Sequence, residues 1–246
     1  WLPYFPPEMR FHFNAHNLLV YGRDGDNYLL SDPVFEEPVR CASADLQKAR
    51  FAKGALAAKG LMYWVDDVPL TQDWDRLIRQ SVLPTTRILD GMPLPWIGIR
   101  GIHHLAAQVR KLDPTQIKYN RLYLTHIVRM QEEIGTGGAG FRFMYASFLQ
   151  ESGSLLGDVT LNEAAVRLTA IGDDWRQFAS ACVRQCRNKD GGSDFTAIAA
   201  RPDAIAVQER ELVRQLAGWV KRRWSARAAQ LQTQHFDAAA QGLQAA

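Results

Sequence analysis

Residues 11–21 mix alternating and continuous apolar positions, the pattern of a buried strand. Gly22-Arg23-Asp24-Gly25-Asp26-Asn27 is rich in turn residues, Tyr28-Leu29-Leu30-Ser31 resumes extended character, and Asp32-Pro33 breaks it. Together these segments predict a β-hairpin. Ser43 is placed to cap a short helix through Arg50, with Ala44, Leu46 and Ala49 available for packing. Residues 61–65 (Leu-Met-Tyr-Trp-Val) read as a further strand. Past residue 70 the period becomes helical. Thr71 is expected to cap a helix ending near Val82, and Pro84, Pro93 and Pro95 punctuate a linker-like stretch. Ile102, Leu105, Ala106, Val109 and Leu112 recur at helical spacing. Asp113-Pro114-Thr115-Gln116 combines a capping Asp, a first-turn Pro and a Gln at the third position, opening a helix to Ile134. A glycine-rich break over 135–140 precedes a helix over 141–156, and Thr160-Leu161-Asn162-Glu163 has the letters of a capping box. Arg201-Pro202 is expected to start a last helix reaching the 230s, with residues 237–246 having little to bury and fraying.

The pattern therefore predicts an α+β chain: a β-rich segment over residues 1–68 followed by a mainly α-helical domain over 69–246. A hairpin, or three strands, is too little sheet to stand alone. The β portion accordingly reads as the back half of something larger, and the start at Trp1-Leu2-Pro3-Tyr4-Phe5, with no Met and no leader, sets the expectation of further sequence upstream.

Composition changes this picture little. The chain has 246 residues, 47% hydrophobic, 22% charged and 10% aromatic, which excludes a disordered polymer. No stretch approaches about 18 consecutive apolar residues, so no membrane partner is expected. A net charge of +3 gives no footprint for a nucleic-acid partner. Three cysteines (Cys41, Cys182 and Cys186) without framework spacing fit a reducing, cytoplasmic setting.

The sharpest chemical pair is His16 and Asp32, one on each arm of the hairpin. A three-residue loop Arg23-Asp24-Gly25 would pair residues whose numbers add to 48, making His16 and Asp32 cross-strand neighbours. A two-residue Asp24-Gly25 turn would give 49 and put them on opposite faces. An imidazole oriented by a carboxylate is what a Cys or Ser nucleophile needs as general base. The simpler reading is a satisfied strand His and an Asp that opens an Asp-Pro turn.

A resemblance bears on that choice. His16-Asn17-Leu18-Leu19-Val20-Tyr21-Gly22, Ser31-Asp32-Pro33 and Ala49-Arg50 resemble the second half of a papain-like cysteine enzyme domain of the butirosin-biosynthesis acyltransferase type. The remainder is similar to the helical domain of uncharacterised function that follows it in such proteins. Its matching segments are Gly98-Ile99-Arg100-Gly101-Ile102-His103-His104-Leu105-Ala106, the run from Gly135 to Arg142, Met144-Tyr145-Ala146-Ser147-Phe148-Leu149-Gln150-Glu151, Trp175 and Ile205-Ala206-Val207-Gln208-Glu209. The resemblance implies an incomplete papain-like sheet segment, His16 as the catalytic base and Asp32 as its orienting acid. It implies a nucleophilic Cys ahead of His16, where this chain has none; Cys41 follows both partners and makes a poor substitute. The implied reaction moves an acyl or aminoacyl group from a carrier-protein thioester to a small-molecule amine acceptor, with an acyl carrier protein and the missing N-terminal half of the domain as partners. A non-catalytic binding protein of the same fold and a peptidase or amidase are the alternatives. No cofactor and no metal is implied.

Weaker signals remain. Gly135-Thr136-Gly137-Gly138-Ala139-Gly140 spells G-x-G-x-x-G, but a helix and not a strand precedes it, so a hinge is the simpler reading than nucleotide binding. A middle reading has free amides at the next helix start, beside Arg142, holding an anion such as a pantetheine phosphate. His103, His104 and His126 lack metal-ligand spacing, and Cys182 and Cys186 share a helix face as small buried residues. Lys221-Arg222-Arg223 with Trp219 and Trp224 reads as a solvated face, with docking of an acidic carrier protein as the alternative.

Overall fold

A computed structural model describes residues 2–7, 10, 16–54, 57–68, 72–133, 136–188 and 194–244, with side chains in the last helix described through 225. Trp1, residues 11–15 of the first expected strand, Thr71, Ile134 and Gly135 lie outside them. The chain divides into two compact units, Trp1–Leu70 and Thr71–Ala246.

The first unit is a three-stranded antiparallel sheet, β1 (Leu19–Asp24), β2 (Asn27–Ser31) and β3 (Val39–Ala42), in the order β1-β2-β3, followed by helix α1 (Ser43–Arg50). The hairpin forms, but around Gly25-Asp26 and not Asp24. Gly25 adopts φ 57°, a conformation that glycine reaches without a Cβ penalty. Asp24 pairs with Asn27, so facing residues add to 51, and a bulge between Val20 and Gly22 lowers this to 50. Both expected registers, 48 and 49, are therefore corrected. On β2 and β3 the inward positions are Leu30 and Cys41, which pack with Leu2 and Leu46 and with the partly buried Tyr4, Phe5, Tyr28 and Val39. The expected strand at 61–65 does not form. Those residues are irregular and exposed, Tyr63 and Trp64 at 81% and 71%, and strand propensity without a pairing partner does not make a sheet. Ser43 is the first helical residue of α1 and not its cap; the cap position is Ala42, with no side-chain bond.

The second unit is helical: α2 (Trp74–Gly91), α3 (Gly98–Arg110), α4 (Ile117–Val128), a π turn (Arg129–Glu133), a 3-10 turn (Ala139–Phe141), α5 (Arg142–Leu156), α6 (Val159–Arg187) and α7 (Phe195–Gln244). Helix α6 packs on α4, α5 and α7, while α2 and α3 pack on α7. The core holds Val82, Ile99, Val109, Leu124, Leu149, Leu161, Ile171, Phe178, Ile205, Leu216 and Val220. Several expected boundaries move. Asp73 caps α2, accepting from the Arg76 N–H at 3.0 Å, and the helix runs through Pro84 because Ile78, Val82 and Thr86 continue its buried stripe. Asp113 instead shapes the turn before α4, accepting from the Thr115 N–H and hydroxyl at 2.9 and 2.8 Å. Asp158 caps α6 and leaves Thr160 inside the helix. Asp194 accepts from the Ala197 N–H at 2.8 Å at the head of α7, so Pro202 is an interior residue. Residues 237–244, expected to fray, are helical, in keeping with the strong helix propensity of Ala. Gly98, at φ 59°, lets the segment from α2 turn into α3, because a Cβ there would run into the Leu89 carbonyl.

Candidate active site

Asp32 follows Leu30 by two residues, so the strand period points both inward; Leu30 is fully buried and Asp32 is 2% exposed. A carboxylate so removed from water needs donors. Oδ1 accepts the Val34 N–H at 3.0 Å, closing a turn over Pro33, and the Asp32 carbonyl accepts the Phe35 N–H at 3.0 Å. Oδ2 receives the Tyr4 hydroxyl at 2.7 Å and lies 2.8 Å from His16 Nε2.

The two residues picked from the sequence therefore meet, by a different route from the one expected. His16 lies ahead of β1 and reaches Asp32 from irregular chain, not as a cross-strand neighbour. Because a carboxylate accepts, the ring N–H at Nε2 is the donor in this contact, and Nδ1 takes no part in it. Among the described residues Nδ1 has no hydrogen-bond partner. The ring is partly exposed, at 22%, and Phe5 meets it edge-on at 5.5 Å. Phe5 in turn packs on Tyr4 and Phe35, with centroids 5.2 and 5.1 Å away.

Tyr4 was not singled out from the sequence. Its only signal there is the aromatic pair Tyr4-Phe5 between two prolines. Burial first, and then the hydrogen bond and charge of Asp32, push its phenol far above the ordinary range, so it stays a donor at any physiological pH.

Cys41 is 2% exposed in the strand core, and burial, then the charge of Asp45, pushes its thiol up. A nucleophilic cysteine needs the opposite shift. Cys182 is likewise buried, its thiol pushed up to about 12 by burial first.

In the second unit the glycine-rich turn is a built structure. Gly137, Gly138, Ala139, Gly140 and Phe141 all take positive φ. The Gly138 N–H donates to Thr136 Oγ1 at 3.2 Å, the Ala139 N–H to the Glu132 carboxylate at 3.2 Å, and the Phe141 N–H to the Thr136 carbonyl at 3.2 Å. Arg142 is committed to Glu209 and to the Gly140 carbonyl. The amides of Gly138, Ala139 and Phe141 and the Arg142 guanidinium are thus engaged within the chain.

Residues 44–216 match the model of a family described as "Domain of unknown function (DUF4872)". The chain belongs to this family. Residues 1–33 match the model described as "Butirosin biosynthesis protein H, N-terminal". No curated protein matches the chain. The DUF4872 match begins in α1, so both partners of the His16–Asp32 pair lie in the other matched segment. Within the DUF4872 region, Arg142, Trp175 and Glu209, from α5, α6 and α7, converge on one carboxylate: Trp175 Nε1 donates to Glu209 Oε1 at 2.8 Å. His103 Nδ1 pairs with Asp203 at 2.8 Å, and Arg110 reaches the same carboxylate at 2.6 Å. Trp219 and Arg223 lie beyond the DUF4872 match, the first buried and the second partly buried. Trp219 Nε1 donates to Asp158, and Arg223 pairs with Asp75 and Asp158. Of the basic-aromatic cluster, Lys221, Arg222 and Trp224 remain exposed. Among the described residues no helix is long and apolar enough to cross a membrane.

Proposed function

We propose that residues 1–68 are the C-terminal part of a papain-like enzyme domain and that His16 and Asp32 are the base and its orienting acid in a cysteine-dependent acyltransferase. The observation that carries this reading is the 2.8 Å contact between His16 Nε2 and a buried Asp32 carboxylate that also accepts from Tyr4 and Val34, with Nδ1 outside that contact and the ring partly open. Cys41, the one cysteine in the same unit as the pair, is unsuited as the nucleophile, so this reading takes the thiol from outside Trp1–Leu70.

In this reaction His16 Nδ1 takes the thiol proton as sulfur attacks the thioester carbonyl of an acyl carrier protein. The carrier thiol leaves with that proton, and an acyl-enzyme forms. An amine acceptor then attacks the acyl carbon, gives its proton to His16, and the cysteine sulfur departs and is reprotonated. Asp32 holds the ring in the tautomer needed and stabilises the imidazolium between steps. The match of residues 1–33 to a butirosin-biosynthesis protein supports a role in specialised-metabolite biosynthesis. A peptidase or amidase would resolve the same acyl-enzyme with water.

The test is acyl transfer from a carrier-protein thioester to an amine by the full-length protein. His16→Ala is expected to abolish thioester loss with the fold intact by circular dichroism. Undiminished turnover would leave His16 without this role, and hydrolysis in place of amide formation would favour the amidase.

A further inference from the structure

The Tyr4 hydroxyl donates to Asp32 Oδ2, the same oxygen that faces His16 Nε2. Packing does not need that hydroxyl. The Tyr4 ring already lies against Phe5 and Phe35, at 5.2 and 5.7 Å, and a phenylalanine would fill the same space. What the hydroxyl adds is a second donor on one oxygen, and two donors sharing an acceptor are coupled: strengthening one bond weakens the other. The remaining oxygen, Oδ1, is fixed by the Val34 N–H, so the carboxylate cannot turn to serve Tyr4 and His16 separately.

We infer that Tyr4 is a positioning residue of the His16–Asp32 site, acting through Asp32 Oδ2 to hold the carboxylate toward His16 and to set how strongly it binds the ring N–H. The inference rests on the acyl-transfer reading for its catalytic meaning, but the coupling itself is a property of this chain. The titratable groups in hydrogen-bond contact around the shared oxygen, among the described residues, are Tyr4 and His16. The phenol stays protonated because burial and Asp32 both oppose its ionisation, so the coupling does not switch off at neutral pH.

The experiment follows the His16 ring N–H proton by NMR in the ¹⁵N-histidine-labelled chain, assigned by its loss in His16→Gln. Tyr4→Phe removes the competing donor and is expected to move the resonance downfield. Replacing tyrosine with 3-fluorotyrosine, a stronger donor of nearly the same shape, is expected to move it upfield. The same labelling in the Tyr4→Phe background cancels contributions from the other six of the seven tyrosines. Opposite displacements support the coupling; an unmoved resonance, or displacement in one direction in both, overturns it. If Tyr4→Phe fails to fold, 3-fluorotyrosine placed at position 4 alone decides: an upfield displacement supports the coupling, and an unmoved or downfield resonance overturns it. In the full-length protein Tyr4→Phe is also expected to lower kcat about three- to tenfold, one hydrogen bond's worth, with KM unchanged. A wild type that turns over no thioester defeats the acyl-transfer reading and leaves the NMR result standing on its own.

Discussion

Arg142 at the head of α5 and Glu209 in the first third of α7 form a two-pronged ion pair, Nε to Oε1 at 2.8 Å and Nη2 to Oε2 at 3.1 Å. The Glu209 side chain is 5% exposed and that of Arg142 23%. Trp175 from α6 completes the site from below: its N–H bonds the carboxylate and its ring lies 5.0 Å under the guanidinium. Three helices are thus tied at one carboxylate, directly after a turn whose Ala139 and Phe141 hold φ of 50° and 70°. Such conformations persist only where the surroundings fix both ends of the turn, and the ion pair fixes one of them.

Removing Glu209 should therefore cost far more than removing a surface acid. Glu209→Ala leaves a mostly buried guanidinium and an indole N–H without their acceptor, and a loss of about 3 kcal/mol or more is expected in urea unfolding. Glu209→Gln keeps the shape and one acceptor oxygen and should cost less. A loss within about 0.5 kcal/mol for the alanine variant, the size of an exposed substitution, would show that the pair does not hold the helices together.

The thiols should separate by accessibility. Cys41 and Cys182 are buried, with thiols pushed up by burial, whereas Cys186 is partly exposed beside Thr125. Brief iodoacetamide treatment of the native chain at neutral pH is expected to label Cys186 first by mass spectrometry. Cys41 and Cys182 should react only on unfolding. Rapid native labelling of Cys41 would contradict its place in the strand core.

How much of this was legible beforehand depended on how local the signal was. The stripe Ile102, Ala106 and Val109 marks α3 from its spacing alone, and all three are buried. Pro84 and Pro202 mislead because a proline costs a helix only about 3 kcal/mol, and the buried residues on both sides outweigh that. Thr160 and Ser43 have the right letters for caps, but Asp158 and Ala42 occupy the positions, one residue choice being invisible to a pattern that tolerates several. His16 and Asp32 were readable as a pair of suitable chemistry. The register that joins them was not, since the bulge at Tyr21 and the irregular path of His16 are set by packing and not by alternation. Tyr4 was invisible for the same reason: its partner is 28 residues away.

Asp32→Asn tests the orienting role apart from the charge of the base. The amide presents an N–H₂ as well as an oxygen, so it can hold the ring in the wrong tautomer while occupying the same space. A fall in kcat of more than about tenfold is expected for full-length acyl transfer. Activity within tenfold of wild type would reduce Asp32 to a structural partner of Tyr4 and Val34.

The exposed run Leu61-Met62-Tyr63-Trp64-Val65 makes the converse case, apolar residues that do not support the fold of this chain. Trp64 is 71% exposed, so Trp64→Ala removes little buried area. Its effect on urea unfolding is expected to stay within about 0.5 kcal/mol. A loss above about 2 kcal/mol would mean that this segment is buried in solution.

Acid should unfasten α7 through two carboxylates. At Asp75 burial opposes the charge, but hydrogen bonds from Arg223 and Arg79 outweigh it and hold the carboxyl below its ordinary 3.8. At Asp203 burial again opposes, and His103 and Arg110 win. Both groups bind fewer protons folded than unfolded in the window below 3.8, so the stability they give is complete above that pH. It is lost as pH falls through their lower folded values. Each pair ties a second helix to α7, Asp75 from α2 through Arg223 and His103 from α3 through Asp203. The urea midpoint should accordingly fall as pH drops from about 4 to 2, and the Asp75→Asn, Asp203→Asn double variant should start lower and fall less steeply. An unchanged acid slope in the double variant would place the acid sensitivity elsewhere.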